Sequence, residues 1–570
     1  MKIKDFLYND FSMKNNLKLR KIKLSICAAF ITLSFVITGY KTISLASINN
    51  ISTKYISSKK NQLKFSTKSN RGNVYDRNGG ILATTIRVNS LYINPQEILN
   101  KNETIKKLKK IFPRLIDKKL RKKLNTKKKH VNLLKEISPK EYVLLLKQGI
   151  EGIIVEQRNK RIYPNNNLVS HILGGTDIDG KGIAGIEKSF NDQLLNGKNV
   201  NISIHAGIQY ITEKILSEQI KKFEAEGGAG IVMNAKNGEI YAITSLPDYN
   251  ANNYNNVINQ NLFNKATKGI YELGSTLKLI TAAIAFESDH VKENDVFDVS
   301  SPLKISSRTI NDFHPLNYRL NIPEVIVHSS NIGSAKIAEK FGTSTQLKFL
   351  KSLGLMDKLN LEIPELGRPQ VRKDGKLLTT MTISYGHGIA ITPLHLASAT
   401  ATIVNDGIKI IPTLLISHSH SHSHSLKNRI FSSQTSNKMK SIMRLVVSSK
   451  HGTAKKAQAS GYLVGGKTGT AEKIKQIGGY SKNQNIVAFT AAYPMNNPQF
   501  VITIMIDNPK GQKFSSGFRT AGWVAAPVIK KLVTRISPIL NIKPQPKLSS
   551  KFTKSLTKYK IRGKKKGENL

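Results

Sequence analysis

The chain has 570 residues, 39% hydrophobic and 22% charged, with 88 Lys and Arg against 37 Asp and Glu for a formal net charge of +51. Its length and apolar content exclude a wholly disordered chain and leave room for two or more domains with sizeable cores. The single cysteine, Cys27, excludes an intramolecular disulfide framework, and positive charge spread along nearly the whole sequence, rather than gathered on one segment, gives no nucleic-acid partner.

The first 23 residues are a basic tail containing Lys14, Lys18, Arg20, Lys21 and Lys23. The uncharged run LSICAAFITLSFVITGY, from Leu24 to Tyr40, follows it. This run is longer than the ~7–15-residue core of a signal peptide and approaches the ~20 residues of a membrane-spanning helix. We read 1–23 as a cytoplasmic tail and 24–45 as a single transmembrane anchor, with the rest of the chain outside the cytoplasm. Ser44 and Ala46 also make a passable cleavage site, so a cleaved signal is the competing reading.

A polar stretch to about Asn70 reads as a stalk. In RGNVYDRNGGILATT, beginning at Arg71, Asn78-Gly79 is a hairpin signal between two strand-like runs. Ile105, Leu108, Phe112, Leu115, Leu120 and Leu124 then recur at helical spacing, with Pro113 splitting the run. Ser138-Pro139-Lys140-Glu141 carries a capping box and opens another helix, which Gly149 ends. GKGIAGIEKSFNDQLLNG adds a glycine-rich turn and a short helix. Residues 46–200 are expected to form an α+β pedestal without catalytic groups.

The texture changes from Asn201. GGAGIVMNAKNGEIYAITSL pairs two strand runs about Asn237-Gly238, and QNIVAFTAAYPMNNPQFVITIMIDNP supplies two longer ones before the apolar helix AGWVAAPVIKKLVTRI. Strands at both ends with helices between them predict an antiparallel sheet flanked by helices over 201–540. Residues 541–570, with Lys564 to Lys566, are expected to be a disordered basic tail. In the tract SHSHSHSHS, 417–425, a strand would align His418, His420, His422 and His424 on one face. A solvated insertion is the simpler reading of this tract, and no metal is assigned.

GSTLKLITAAIAFE, from Gly274, is apolar on every side after its first turn, the mark of a buried helix. Ser275 stands at that turn and Lys278 three residues on, over the same face. A lysine entering a buried helix needs an ion partner or a lowered pKa, and a neutral Lys278 could take the proton of Ser275. A capping serine beside a snorkelling lysine gives the same spacing. Ser57–Lys60, Ser301–Lys304 and Ser555–Lys558 match it too, in polar or tail sequence where nothing desolvates the lysine. Ser329-Ser330-Asn331 precedes a helix of small residues, where a hydroxyl and an amide could relay a proton and hold a substrate amide, or simply cap. Lys467-Thr468-Gly469-Thr470 ends GYLVGGKTGT, whose first eight residues also satisfy the phosphate-loop pattern. Nucleotide binding would need a helix starting at Lys467. Gly469 and Gly478-Gly479 oppose one, at about 1 kcal/mol per glycine. A magnesium-binding role for Asp507, at the end of FVITIMIDNP, lapses with it.

Ser-x-x-Lys, Ser-x-Asn and Lys-Thr-Gly in this order form the signature of penicillin-recognising serine acyltransferases. RGNVYDRNGGILA, GKGIAGIEKSFNDQL, YELGSTLKLIT, SSNIGSA, YGHGIAITPLHLA and GGKTGTAEK resemble a class B penicillin-binding protein over roughly Arg71 to Ile536. Leu273 departs from the proline that many members carry there. The Ser-x-Asn form is similar to the division-specific FtsI type.

The resemblance implies a multi-domain α+β protein. It would have a single N-terminal transmembrane helix, a pedestal like the family's dimerisation domain, and a transpeptidase domain of serine β-lactamase-like fold. It implies that Ser275, activated by Lys278, attacks the D-Ala-D-Ala carbonyl of a peptidoglycan stem peptide, while the backbone N–H groups of Ser275 and Thr470 hold the oxyanion. Ser329, helped by Lys467, would pass a proton to the departing D-alanine, and Asn331 would bond the substrate amide. Thr468 and Thr470 would bind the terminal carboxylate, and Gly469 would leave room for an extended substrate. β-Lactams would acylate Ser275, with no cofactor and no metal. The implied partners are stem peptides, the membrane and divisome proteins that include a polymerising glycosyltransferase. The implied place is the septum, with the catalytic domain in the periplasm and the anchor in the inner membrane. An elongation-specific transpeptidase, a β-lactamase or β-lactam sensor of the same fold, and a scaffold with a decayed site are the alternatives.

Overall fold

The computed structural model describes residues 21–22, 24–44, 70–305, 308–416, 428–474, 479–545, 550–559 and 561–562. The His-Ser tract at 417–425 lies outside them. The first unit contains helix α1, Leu24–Ser44, of 21 residues and mean hydropathy 1.6. Among the described residues it is the only helix long and apolar enough to cross a membrane. The hydroxyls of Thr32, Thr38 and Thr42 each donate to the carbonyl four residues earlier, which satisfies them inside the helix, as a lipid environment requires.

The second unit begins at Asn70. Its pedestal sheet is built on β1 (Val74–Tyr75) and the long β2 (Ile81–Ile93), joined by a turn in which Gly79 takes φ +82. Helices α2 (Lys101–Ile111) and α3 (Asp117–Leu124) follow, broken at Phe112-Pro113 as the sequence predicts. Strand β3 (Val131–Ile137), helix α4 (Pro139–Lys147) and strand β4 (Ile153–Ile162) complete the head, with β3 and β4 both antiparallel to β2. The capping box of α4 is formed: Ser138 Oγ accepts from Glu141 N at 3.2 Å, and Glu141 Oε2 accepts from Ser138 N at 2.7 Å. Leu91, Ile93, Leu108, Phe112, Leu120 and Leu124 make a separate small core here.

Among the described residues, the base of the pedestal shares its core with the sheet that follows. Val74, Leu82, Ile172, Ile186 and Leu194 belong to the same apolar cluster as the catalytic sheet. Charges fasten the joint. Glu187, fully buried, accepts from Arg71 Nε and Arg161 Nε, each at 2.7 Å. Arg77 donates to Ser203 O and Glu239, and its guanidinium lies 3.6 Å over the Tyr241 ring. Strand β5 (Val200–Asn201) runs parallel to β1 and leads into helix α5 (Ala206–Lys222), whose first amide donates to Asp76 Oδ2 at 3.1 Å.

The catalytic sheet contains β6 (Gly227–Asn234), β7 (Ile240–Leu246), β8 (Gly465–Ile474), β9 (Tyr480–Tyr493) and β10 (Phe500–Asp507). Its order is β8-β9-β10-β6-β7, antiparallel throughout. Strands from both ends of the region thus close one sheet. Every residue of β10 is buried, because helices cover both faces of the sheet. On one face lie α5 and the C-terminal helix Ala526–Ile536; the other carries Pro393–Val404, which also packs on Lys278–Glu287. The expectation of a disordered tail over 541–570 is corrected in part: Ser550–Thr557 is a helix, with Phe552, Tyr559 and Ile561 packed on the catalytic core. Its charges obscured a helical apolar spacing, Phe552, Leu556, Tyr559.

Candidate active site

Ser275 lies in a single 3-10 turn, Gly274–Leu277, directly before helix α6, Lys278–Glu287. Every residue of α6 from Lys278 to Ala285 is buried, as its all-round apolarity requires. The turn is capped by Leu273 without a side-chain bond, so Ser275 is not a helix cap. Ser275 is half-buried and lines a cleft of about 980 Å³ together with Ser329, Asn331, Thr468 and Thr470.

Helix α7 (Ile322–His328) and helix α8 (Asn331–Ser352) present the second motif. Between them Ser329 adopts φ +61, ψ +40, a left-handed conformation that only its surroundings can hold in a non-glycine residue. Ser330 is the capping residue, its Oγ accepting from Gly333 N at 2.9 Å and donating to Asp312 Oδ2 at 2.6 Å. Asp312 Oδ1 accepts from Asn331 N at 2.5 Å and Ile332 N at 3.0 Å, a carboxylate on the positive end of α8. The Asn331 amide is fixed on both sides: Oδ1 accepts from Lys278 Nζ at 2.7 Å and Nδ2 donates to Asn311 O at 2.9 Å.

The two lysines meet at Ser329. Lys278 Nζ donates to Ser329 O at 2.5 Å and lies 3.3 Å from Ser329 Oγ. Lys467 Nζ, from β8, lies 2.8 Å from the same Oγ and 3.0 Å from Thr468 O. Both lysines are fully buried, and among the described residues neither forms an ion pair. Burial pushes Lys278 down to about 7, opposed by the Asp312 carboxylate. Burial, and then repulsion from Lys278, holds Lys467 well below the usual amine range. Two ammonium charges cannot share this pocket comfortably, so at least one amine is available as a base. Ser275 is not among the hydrogen-bond partners of Lys278; the two share the turn, and the amine is held by the second motif.

Gly469 lies where β8 meets the Ser275 turn. A Cβ on it would lie 2.1 Å from Leu273 O and 2.9 Å from Thr276 Cγ2. The glycine is needed for β8 to abut the Ser275 turn. Gly274, at φ +54, approaches the Thr470 backbone from the other direction. Thr468 Oγ1 bonds Thr453 Oγ1 at 2.9 Å, and Thr470 Oγ1 accepts from Ala521 N at 3.2 Å, so both threonines are oriented at the cleft wall. The phosphate-loop reading fails outright. Lys467 and Thr468 are in a strand, and Asp507 is paired with Lys265 at 3.0 Å and Lys473 at 2.9 Å.

Asp312, Thr453 and Trp523 line the same cleft and were missed in the sequence. Nothing local marks Asp312, which reaches the site only through tertiary packing. Trp523 is the only tryptophan in the chain and had that rarity as its one signal.

Comparison with known proteins identifies the family. Residues 228–533 match the penicillin-binding protein transpeptidase domain, and residues 66–206 match the penicillin-binding protein dimerisation domain. A probable peptidoglycan D,D-transpeptidase FtsI from Caulobacter vibrioides is 34% identical over 489 residues, covering 84% of this chain and 82% of that one. Peptidoglycan D,D-transpeptidase FtsI from Buchnera aphidicola is 32% identical over 559 residues, covering 91% and 95%. In fold, penicillin-binding protein 3 from Mycobacterium tuberculosis, solved with aztreonam, aligns with a TM-score of 0.65 at 21% identity over 84% of this chain and 98% of that one. With both domains matched in order and relatives aligned along most of their length, the chain belongs to the class B penicillin-binding proteins of the FtsI type.

Proposed function

We propose that this peptidoglycan D,D-transpeptidase cross-links stem peptides at the division septum through an acyl-enzyme on Ser275. One observation carries the reading: a single hydroxyl, Ser329 Oγ, lies between two fully buried amines at the cleft that Ser275 lines. A neutral amine has two N–H donors and one lone pair. Lys278 directs its donors at Ser329 O and Asn331 Oδ1, which leaves the lone pair for a hydroxyl proton.

In acylation, Ser275 Oγ attacks the penultimate D-alanine carbonyl as Lys278 takes its proton. The Ser275 and Thr470 backbone N–H groups receive the oxyanion. When the C–N bond breaks, a proton passes through Ser329, between Lys278 and Lys467, to the departing D-alanine nitrogen. Thr468 and Thr470 hold the terminal carboxylate, and Asn331 Nδ2 turns its second N–H to a substrate amide. An amine of a second stem peptide then attacks the ester carbonyl, its proton passes by way of the lysine pair to Ser275 Oγ as the C–O bond breaks, and Ser275 is released. β-Lactams acylate the same oxygen.

Residues 24–45 anchor the chain in the inner membrane, the pedestal over 46–200 carries the catalytic domain over 201–540 in the periplasm, and divisome proteins including a polymerising glycosyltransferase supply nascent strands. The septal assignment is supported by the Ser-x-Asn motif and by relatives named FtsI. Full-length protein given a stem pentapeptide and an amine acceptor should release D-alanine and form a cross-linked product, and Ser275→Ala should do neither. Hydrolysis without cross-links would instead indicate a hydrolase. Depletion should give filaments; rounded cells would assign the enzyme to elongation.

A further inference from the structure

The described C-terminal residues reach the helix that presents Ser329. From the helix Ser550–Thr557, Ser555 Oγ bonds Ser441 Oγ at 3.0 Å, and Lys558 pairs with Glu293 at 2.6 Å. The chain then reaches Glu324, in the first turn of α7, whose side chain is wholly buried. Glu324 accepts from the backbone N of its own capping residue, Asn321, at 3.1 Å. Its other partner is Arg562, through the backbone N at 3.1 Å, Nε at 2.8 Å and Nη2 at 2.7 Å. Arg562 Nη2 also donates to Arg319 O at 2.6 Å, in the strand before α7. The Arg562 carbonyl accepts from His328 Nε2 at 2.8 Å. One residue therefore grips both ends of α7, and the residue after His328 is Ser329.

We propose that Arg562 is a positioning residue for the transpeptidase reaction: by bridging Glu324 and His328 it fixes α7 and so holds Ser329 between Lys278 and Lys467. Three physical facts support it. A helix of seven residues does not hold its own shape. A buried carboxylate stripped of its cation is costly, so Glu324 moves if Arg562 leaves. The left-handed backbone at Ser329 persists only while both flanking elements constrain it. The inference rests on the relay role given to Ser329 above, and its test separates the two.

The test uses the full-length protein and a fluorescent penicillin. The non-covalent dissociation constant, the acylation rate constant and the melting temperature are measured for the parent, Arg562→Ala, Arg562→Lys, Lys558→Ala and Ser329→Ala. Arg562→Ala should lower the acylation rate constant about tenfold or more, as a misplaced relay group does. The dissociation constant should stay within about twofold, since Thr468 and Thr470 on β8, which hold the carboxylate, are untouched. Arg562→Lys should recover part of the rate, and Lys558→Ala, which cuts the same segment loose elsewhere, should acylate like the parent. A parental rate in Arg562→Ala beside an impaired Ser329→Ala overturns the positioning role alone. So does a loss that Lys558→Ala shares together with a lower melting temperature. A parental rate in Ser329→Ala overturns the relay, and this proposal with it.

Discussion

The buried charges of the pedestal joint and of the catalytic cleft are arranged on opposite principles. In the pedestal joint, Glu187 sits between Arg71 and Arg161, every partner almost wholly buried and each pair at 2.7 Å. In the catalytic cleft, Lys278 and Lys467 are buried as deeply, yet they face a hydroxyl, an amide and carbonyls, and no carboxylate touches either. A compensated cluster fastens segments that are far apart in sequence. An uncompensated one keeps pKa values displaced, which is costly for stability and useful for proton transfer.

The largest expected effect breaks the second cluster. Lys278→Met should lower the acylation rate about 10³-fold or more, because the proposed base is gone. It should leave the melting temperature unchanged or raise it, since an apolar side chain replaces an unpaired buried amine. Breaking the first cluster should do the reverse. Glu187→Gln leaves two arginines facing each other and should cost about 3–5 kcal/mol in denaturant unfolding, while the acylation rate per folded molecule stays parental. Gly469→Ala should cost about 10²-fold in acylation, because a methyl group would force β8 off the Ser275 turn.

The smallest effect is the most diagnostic. As the proposed base Lys278 can act only when neutral, so the acylation rate should fall as pH drops below about 7, by about tenfold per unit. The linkage to stability has a definite sign. The folded pKa lies below the ordinary 10.5 of the unfolded chain. Between those values the unfolded state binds more protons, so raising the pH stabilises the fold. That rise should shrink in Lys278→Met and persist in Arg562→Lys, as read from urea unfolding across the window.

How much of this was legible in the sequence follows from how local each signal is. The apolar surroundings of Lys278 announce a desolvated amine without any tertiary information. Lys467 needed its partners to be read correctly, because a phosphate loop and a catalytic strand share the letters Gly-x-x-x-x-Gly-Lys-Thr. Asn78-Gly79, Ser138-x-x-Glu141 and the Pro113 break are local chemistry and appear in the structure as expected. Asp312 and Arg562 were invisible because each acts across a long loop closure, on Ser330 and Asn331 in one case and on Glu324 in the other. Gly469 was singled out in the sequence, but its contact with the Ser275 turn was not legible there. Sequence marks a glycine as permissive, and only packing shows which neighbour, here Leu273 O, occupies the space it leaves.

The proposed mechanism makes Ser275 the oxygen these two lysines serve. Incubating full-length protein with a labelled penicillin and mapping the adduct by peptide mass spectrometry tests it most directly. The account predicts one long-lived adduct on the peptide containing Ser275, absent in Ser275→Ala and strongly slowed in Lys278→Met. An adduct on any other residue, or equal labelling of Ser275→Ala, would contradict it.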